Sequence, residues 1–420
     1  MGKTVLDIRG GRFFINGRET HSDPSGTSGT EAPARGRLPN ARFIQGIFDD
    51  ASGRGRYARF GYDRFDPEEN TDRLIAALPA WRSHGLLAFT VGFQGGGPCF
   101  TMDSATIDNN PFGSDGLRLD KAYAARMDRL IRAADALGMV VIVSFFYFMQ
   151  SCRLQDDIAV LDAVQTGARF LRDGGYTNVI LEVANEHDLP APCGRNHPQI
   201  LTSEGMVSLI HLAREASGGL PTGCSRRGGS VDPDICAASD VVLIHGNGCT
   251  RQGLHDLILR AHRYAPDKPV VCNEDSPALG QMDVALRAGA SWGYYNNLTK
   301  QEPPADWGIT PGEDRFFALR TARSAGIAIP DPPEREQFLL QGAEPHEYDS
   351  GRRWIRLASL YPERIDRIEF FRDGAPAGIC YDEPFTLGFR SNWNQDAVKC
   401  GPEEVWTARV HLRDGRILTA

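Results

Sequence analysis

What this chain lacks narrows its chemistry first. No apolar run reaches the roughly 20 residues that a membrane-crossing helix needs. The start, Met1-Gly2-Lys3-Thr4-Val5-Leu6-Asp7, has neither the basic segment nor the apolar stretch of a secretory signal, and Leu6 stands where a myristoylation motif wants Ser or Thr. The expectation is a soluble protein, cytoplasmic as written and secreted or periplasmic only if a leader has been removed. Nine cysteines form no Cys-x-x-Cys pair, so neither a zinc knuckle nor a disulfide framework is expected, and buried free thiols are. The first strand candidate carries no His-x-His, no helix reads His-Glu-x-x-His, and no Gly-x-Gly-x-x-Gly follows the first strand, which leaves no preorganised zinc or dinucleotide site. A formal charge of −8 and a pI near 5.7 offer no basic surplus for nucleic acid or an anionic membrane, so a neutral partner fits better. Nothing in the sequence speaks to oligomeric state.

What is present is a repeating unit of short apolar run, polar loop and helically spaced stretch, from about residue 43 to residue 326. Strands are expected at 42–48, 86–93, 139–146, 178–184, 220–225, 241–245, 269–273 and 290–295. Helices are expected among others at 67–83, 120–137, 156–172, 203–216, 252–264 and 313–324. Strands rich in Val, Ile, Leu and Phe with little alternation suit a parallel sheet covered on both faces. Eight such units match a (β/α)8 barrel, and an open doubly wound sheet is the alternative. The long irregular segments, 49–66, 94–119, 187–202 and 296–312, all follow strands, as they do where a barrel builds its site on the C-terminal rim.

The division expected is a hairpin and loop closing the barrel floor over 1–42, a catalytic barrel over 43–328, a linker over 329–349 and a small β-sandwich over 350–420. The hairpin rests on alternation from Val5 to Asn16 with turns at Gly10-Gly11 and Asn16-Gly17. Pro330-Asp331-Pro332-Pro333 marks the linker, and Asp373-Gly374 and Asp414-Gly415 mark later hairpins. The class is therefore α/β, a TIM barrel with an all-β C-terminal domain.

Two strand ends carry the same dipeptide. Val179-Ile180-Leu181-Glu182-Val183-Ala184 runs into Asn185-Glu186 on the fourth strand, and Pro269-Val270-Val271-Cys272 runs into Asn273-Glu274 on the seventh. Side chains at those tips can meet across a barrel mouth. Two facing carboxyls, one protonated and one ionised, are what cleavage of a glycosidic bond requires. Any single Glu at a strand tip is more often a surface or capping residue, and the pairing is what favours catalysis. Glu182 has the same parity as Glu186 but lies deeper, and is expected to be a buried partner for an arginine rather than a catalyst.

With these residues the barrel resembles the clan of retaining glycosidases that includes the family 5 cellulases and mannanases and the family 42 β-galactosidases. The resemblance implies Glu186 as acid/base, Glu274 as nucleophile, Asn185 as a ligand of the sugar 2-hydroxyl, and no cofactor or metal. The chain departs from the clan at His187-Asp188 after the first Glu, at Asp275 after the second, and at His245-Gly246-Asn247 on the sixth strand. The stretch Ile365 to Gly374, with Pro384-Phe385 and Thr407 to Val410, resembles bacterial immunoglobulin-like modules appended to polysaccharide-degrading enzymes.

Other rim residues suited to binding a sugar are Asp49, Gln94, Tyr147, His187, His245, Asn247, Trp292 and Tyr295, since aromatic faces take C–H surfaces and amides and carboxylates fork across hydroxyls. Phe145, Phe146 and Phe148 are expected in the core. Long rim loops lean towards a pocket and exo action. Two rivals stand beside this reading. One is a metal-dependent barrel hydrolase using His187, Asp188, His197, His245 and Asp275, and the other is a carbohydrate-binding barrel without catalysis.

Overall fold

Among the described residues between 40 and 324, eight parallel strands alternate with eight longer helices, and three single-turn helices (Phe148–Ser151, Pro198–Leu201 and Asn297–Lys300) lie in the loops. The strands are β1 (Asn40–Arg42), β2 (Ala88–Gly92), β3 (Val140–Tyr147), β4 (Val179–Asn185), β5 (Thr222–Gly223), β6 (Val242–His245), β7 (Val270–Glu274) and β8 (Gly293–Tyr294). The helices are α1 (Pro67–Ser83), α2 (Lys121–Ala136), α3 (Asp157–Asp173), α4 (Ser203–Ala216), α5 (Pro233–Ala238), α6 (Arg251–Tyr264), α7 (Leu279–Arg287) and α8 (Glu313–Ser324). This is a computed structural model, and it describes residues 2–22, 32–57, 64–98, 102–192, 194–343, 351–401 and 403–420.

The helices start where side chains satisfy their first free N–H groups. Asp66 accepts from the N–H of Glu68 and Glu69, Asp120 from Ala122 and Tyr123, and Thr202 and Thr250 cap α4 and α6 in the same way. Pro67 opens α1, where its missing N–H costs nothing. Each helix buries one apolar stripe, Leu74, Leu78 and Trp81 on α1 and Leu254, Leu257 and Ile258 on α6, against the outer faces of the strands.

The expected single closed barrel is not one continuous sheet. β8-β1-β2-β3-β4-β5 form a six-stranded parallel sheet and β7-β6 a separate pair. One parallel bridge, Val271 to Ser291, joins the pair to the run leading into β8. On the other side, among the described residues, β5 meets the run leading into β6 through one backbone bond, Asp240 N–H to Thr222 O at 2.8 Å. The reason is the brevity of β5. At Gly223 a Cβ would sit 2.2 Å from the Val241 carbonyl oxygen, so the strands cross closely there, and the next residues are spent on side-chain bonds to β4.

The first strand departs from expectation in register. Residues 43–48 are buried and mostly apolar but form turns, with Gly46 N–H bonding Phe43 O and Phe48 N–H bonding Gln45 O. Gly46 packs so closely on Leu74 that a Cβ would lie 2.5 Å from it. The strand ends at Arg42, which puts that arginine at the C-terminal rim. α5 and α7 lie outside the expected helices named above.

Beneath the strands, Leu6–Arg9 and Arg12–Ile15 pair antiparallel, with Arg18–Glu19 as a third strand. Phe13 from this hairpin packs among Leu38, Val140, Ile142, Ile180, Leu243 and Val271, at or just before the N-terminal ends of the strands. Burying such a ring contributes about 1.5–3 kcal/mol.

The C-terminal part begins earlier than expected. Within the stretch read as linker, β9 (Phe338–Gln341) pairs with β11 (Arg356–Ser359), which also pairs with β14 (Phe385–Thr386). β10 (Arg352–Arg353) pairs with β15 (Val398–Lys399), and β12 (Ile365–Arg372), β13 (Ala375–Cys380), β16 (Trp406–Leu412) and β17 (Ile417–Thr419) form a four-stranded antiparallel sheet. Ile355, Leu357, Ile368, Phe370, Ala408 and Val410 fill the space between the sheets. Salt bridges fasten this unit to α8, Arg356 to Glu313 at 3.1 Å and Arg320 to Glu363 at 3.1 Å, and Gly280 N–H bonds Glu383 at 3.0 Å.

One cysteine corrects the free-thiol expectation. Cys152 is disulfide-bonded, with its partner outside the described residues, whereas Cys224, Cys236, Cys249, Cys272, Cys380 and Cys400 are free. Among the described residues no helix is long and apolar enough to cross a membrane.

Candidate active site

Glu186 and Glu274 meet at the rim. One oxygen of each carboxyl and a ring nitrogen of His245 all lie within 4.8 Å of one another, and all three residues are buried. The two glutamates arrive by different irregularities. Glu186 takes φ +48°, a left-handed conformation rare for a residue with a side chain, at the point where β4 ends. Glu274 follows a register shift between Cys272 and Glu274 in the β7–β6 ladder.

Arg42 organises the floor of the site. Its guanidinium lies 2.8 Å from Glu274 Oε2 and donates to Asn185 Oδ1 at 2.6 Å, with almost no solvent exposure. Complete burial would lower its pKa, and the surrounding Glu274 and Glu182 carboxylates raise it instead. Burial pushes the Glu274 carboxyl up, while Arg42 and His245 pull it down. The net direction is upward for both Glu274 and Arg42, and the ion pair with Arg42 at 2.8 Å holds Glu274 in its charged form. Arg42 cannot release its proton, so neutralising Glu274 would strand a buried cation beside it.

His245 Nδ1 sits 3.0 Å from Glu186 Oε1 and 3.6 Å from Glu274 Oε2. Burial alone would depress its pKa, but Glu274 and Glu186 hold it above the ordinary histidine value. Asn247 donates to Glu274 Oε1 at 3.1 Å. Asn185 Nδ2, Asn247 Oδ1 and His245 Nε2 are buried with no protein partner among the described residues. Unpaired buried polar groups are costly, so their convergence around two carboxyls marks a place for a polar ligand.

Glu182, one turn of the pleat below, accepts from Ser225 Oγ at 2.6 Å and Asn273 Nδ2 at 3.1 Å. It touches Arg42 only through its field, so its direct partners are a serine and an amide rather than the arginine expected. Asn273 therefore points down into the sheet, while Asn185 belongs to the site.

The other rim residues divide. Tyr295 is buried with its ring 5.5 Å from the Arg42 guanidinium, and Tyr147 also faces Arg42 electrostatically. Gln94 accepts from Tyr147 N–H at 3.1 Å and donates to Asn110, which fixes the turn after β3. Asp49 is held by Arg54 in a two-pronged pair at 2.8 and 2.6 Å. Trp292 donates to Asp275 at 2.8 Å and packs on Phe317. His187 bonds the Ile200 carbonyl at 2.8 Å and lines a small cavity with Phe146, Asn185 and His197. Burial lowers the His187 pKa and raises that of Asp275 to about 7.

Arg42, Asn392 and Trp393 escaped the sequence reading. The apolar run places Arg42 at the start of a strand, whereas it stands at the strand's end. Asn392 lies far along the chain in the β-rich unit, yet bonds Asp275 Oδ1 at 3.0 Å.

No protein-family model matches the chain, and no curated protein does. Solved structures that superpose on it include glycoside hydrolases. They include the Bacteroides uniformis β-glucuronidase (12% identity, TM-score 0.45, 99% of this chain and 47% of that one). The Parabacteroides merdae β-glucuronidase is similar at 12% identity and TM-score 0.44, covering 99% of this chain and 50% of that one. A Bacteroides vulgatus protein provisionally assigned as a glycoside hydrolase gives 12% identity and TM-score 0.49 over 97% of this chain and 82% of that one. The chain spans about half the length of the two β-glucuronidases. Likeness at this level does not carry an activity or a substrate across.

Proposed function

We propose that the chain is a glycoside hydrolase that cleaves O-glycosidic bonds with retention, using Glu274 as nucleophile and Glu186 as acid/base. The observation that carries this reading is the approach of the two carboxyls to within 4.8 Å. Carboxyls roughly 5–5.5 Å apart leave no room for an intervening water and suit double displacement, whereas inversion needs roughly 6.5–9.5 Å. In the first step a Glu274 oxygen bonds the anomeric carbon as the C–O bond to the leaving group breaks, and Glu186 gives its proton to the departing oxygen. In the second, Glu186 takes a proton from water, and the water oxygen displaces Glu274. Asn185 Nδ2, which has no protein partner among the described residues, suits the 2-hydroxyl.

The cyclic order of the eight strands supports a (β/α)8 barrel as the scaffold, and the packed antiparallel sheets of the C-terminal unit support an immunoglobulin-like module. Long loops after β1, β2, β4 and β8 favour a pocket and exo action on an oligo- or polysaccharide. The Cys152 disulfide favours an oxidising compartment over the cytoplasm.

A panel of nitrophenyl glycosides and oligosaccharides, with product anomers followed by NMR, tests the proposal. Hydrolysis with retained configuration is expected. Inverted product would overturn the mechanism, and no hydrolysis of any member would overturn the activity.

A second reading has one observation in its favour, since Glu186, His245 and Glu274 also have the spacing of divalent-cation ligands. Arg42 counts against it, because a guanidinium already supplies positive charge at 2.8 Å from Glu274. Metal analysis of the purified protein, with activity measured after chelation, separates the two.

A further inference from the structure

The hairpin between β14 and β15 belongs to the C-terminal unit but ends at the mouth of the parallel strands. Its neck is closed by the Phe389–Gln395 bridge and by Asp396 N–H to Gly388 O at 2.7 Å. A Cβ at Gly388 would lie 2.0 Å from the Asp396 carbonyl oxygen, so only glycine allows this closure. The tip is tightened by Arg390 N–H and Ser391 N–H, both donating to Asn394 O at 3.1 Å.

Asn392 fixes that tip to the rim. It is buried, accepts from Gly248 N–H at 2.6 Å, and donates to Gly246 O at 3.3 Å and Asp275 Oδ1 at 3.0 Å. Between Gly246 and Gly248 lies Asn247, the donor to Glu274. The next residue, Trp393, places its ring 5.5 Å from Tyr295, tilted by 34°. Tyr295 in turn covers Arg42, the partner of Glu274. Trp393 belongs to none of the apolar clusters among the described residues and stays partly exposed, so it is not there to fill a core.

We propose that this hairpin completes the carbohydrate site. Trp393 is a platform for the sugar that becomes bonded to Glu274, and Asn392 is a positioning residue acting through Asn247. A partly exposed indole beside a polar pocket offers its face to the C–H surface of a pyranose ring. Its placement on the glycone side follows from the anchors. All three Asn392 bonds go to residues around Glu274, and the Trp393 contact leads through Tyr295 and Arg42 to the same carboxylate. The proposal rests on the glycosidase reading and adds to it the residues that select the sugar.

The test uses the intact protein and a series of aryl glycosides that share one glycone and differ in leaving group. Trp393→Ala is expected to raise KM at least tenfold, by the same factor across the series, with a smaller change in kcat. Trp393→Phe is expected to recover most of the loss. Asn392→Ala is expected to lower kcat more than it raises KM, a split that mere loosening of the module would not produce. A KM for Trp393→Ala within twofold of wild type, or a loss that tracks the leaving group, would overturn the platform. Should Trp393→Ala fail to fold, wild-type protein labelled with 5-fluorotryptophan gives a second measurement. The Trp393 resonance, assigned through Trp393→Phe, is expected to shift on adding the monosaccharide product, and an unmoved resonance overturns the proposal. Wild-type protein that hydrolyses no member of the series defeats the glycosidase reading and this inference with it. Wild-type turnover with an unaffected variant defeats this inference alone.

Discussion

Asn185-Glu186 and Asn273-Glu274 are the same dipeptide at the ends of two parallel strands, and the backbone delivers them in opposite ways. At β4 the left-handed turn at Glu186 leaves Asn185 in the site, held by Arg42. At β7 the register shift sends Asn273 downward to Glu182 and brings Glu274 up to Arg42 and Asn247. The residues that follow differ too. Burial disfavours charge on both His187 and Asp275. Identical letters thus acquire distinct chemistry from one dihedral and one bulge, and each irregularity is held in place by a network of buried polar bonds.

The largest expected effect separates the two carboxylates. Glu274→Gln should remove turnover with every leaving group, beyond the about 10²–10⁴-fold that loss of proton transfer costs. Glu186→Gln should stay within that range on unactivated substrates and lose much less on nitrophenyl glycosides. Steady-state rates on both substrate types check this, and equal losses from the two variants would erase the asymmetry.

Next comes the cation the two tips share. Arg42→Met leaves Glu274 and Glu182 buried without a counter-charge, which should cost about 3–5 kcal/mol of folding stability. Chemical denaturation measures it, and a change under about 1 kcal/mol would mean that water reaches the pair.

A third experiment concerns Asp275. Its folded pKa of about 7 lies above the ordinary 3.8, so the folded state keeps a proton that the unfolded chain has released between those values. Stability should therefore fall as pH rises from about 4 to about 7, by up to about 1.4 kcal/mol per pH unit from this group. In Asp275→Asn that slope should flatten, and an unchanged pH profile would contradict the burial argument.

The smallest effect tests the turn at Glu186. Glu186→Gly and Glu186→Ala both remove the carboxylate, but only glycine accepts φ +48° without strain. The glycine variant should be the more stable by about 1 kcal/mol, a preference reversed from that of an ordinary strand residue. Thermal melts of the pair decide it.

Much of this architecture could be read in advance, and the exceptions share a cause. The apolar runs of β3 and β4 and the capped starts of α1, α2 and α4 sit within two residues of their expected positions, because local sequence determines them. The run 43–48 is as apolar as a strand, yet contacts with Leu74 and Thr90 fold it into turns, and that shift hid Arg42. Leu339 and Leu340 were lost among the linker prolines because their strand exists only by pairing with residues 357 and 358. Asn392 and Trp393 were invisible for the same reason at longer range, since nothing near them in sequence says that a hairpin in one unit will touch a strand tip in another.

The bonds between α8 and the C-terminal sheets carry a practical consequence. Glu313, at the first turn of α8, holds Arg356 on one side and Asn296 on the other, while Arg320 reaches Glu363 and the Leu360 carbonyl. A cut at the prolines near residue 332 would free no independent catalyst, because the severed halves would each expose charges that now neutralise one another. Anyone grafting a different appendage onto this scaffold would have to carry those arginines across, or accept a protein that melts at a lower temperature and does so in two stages.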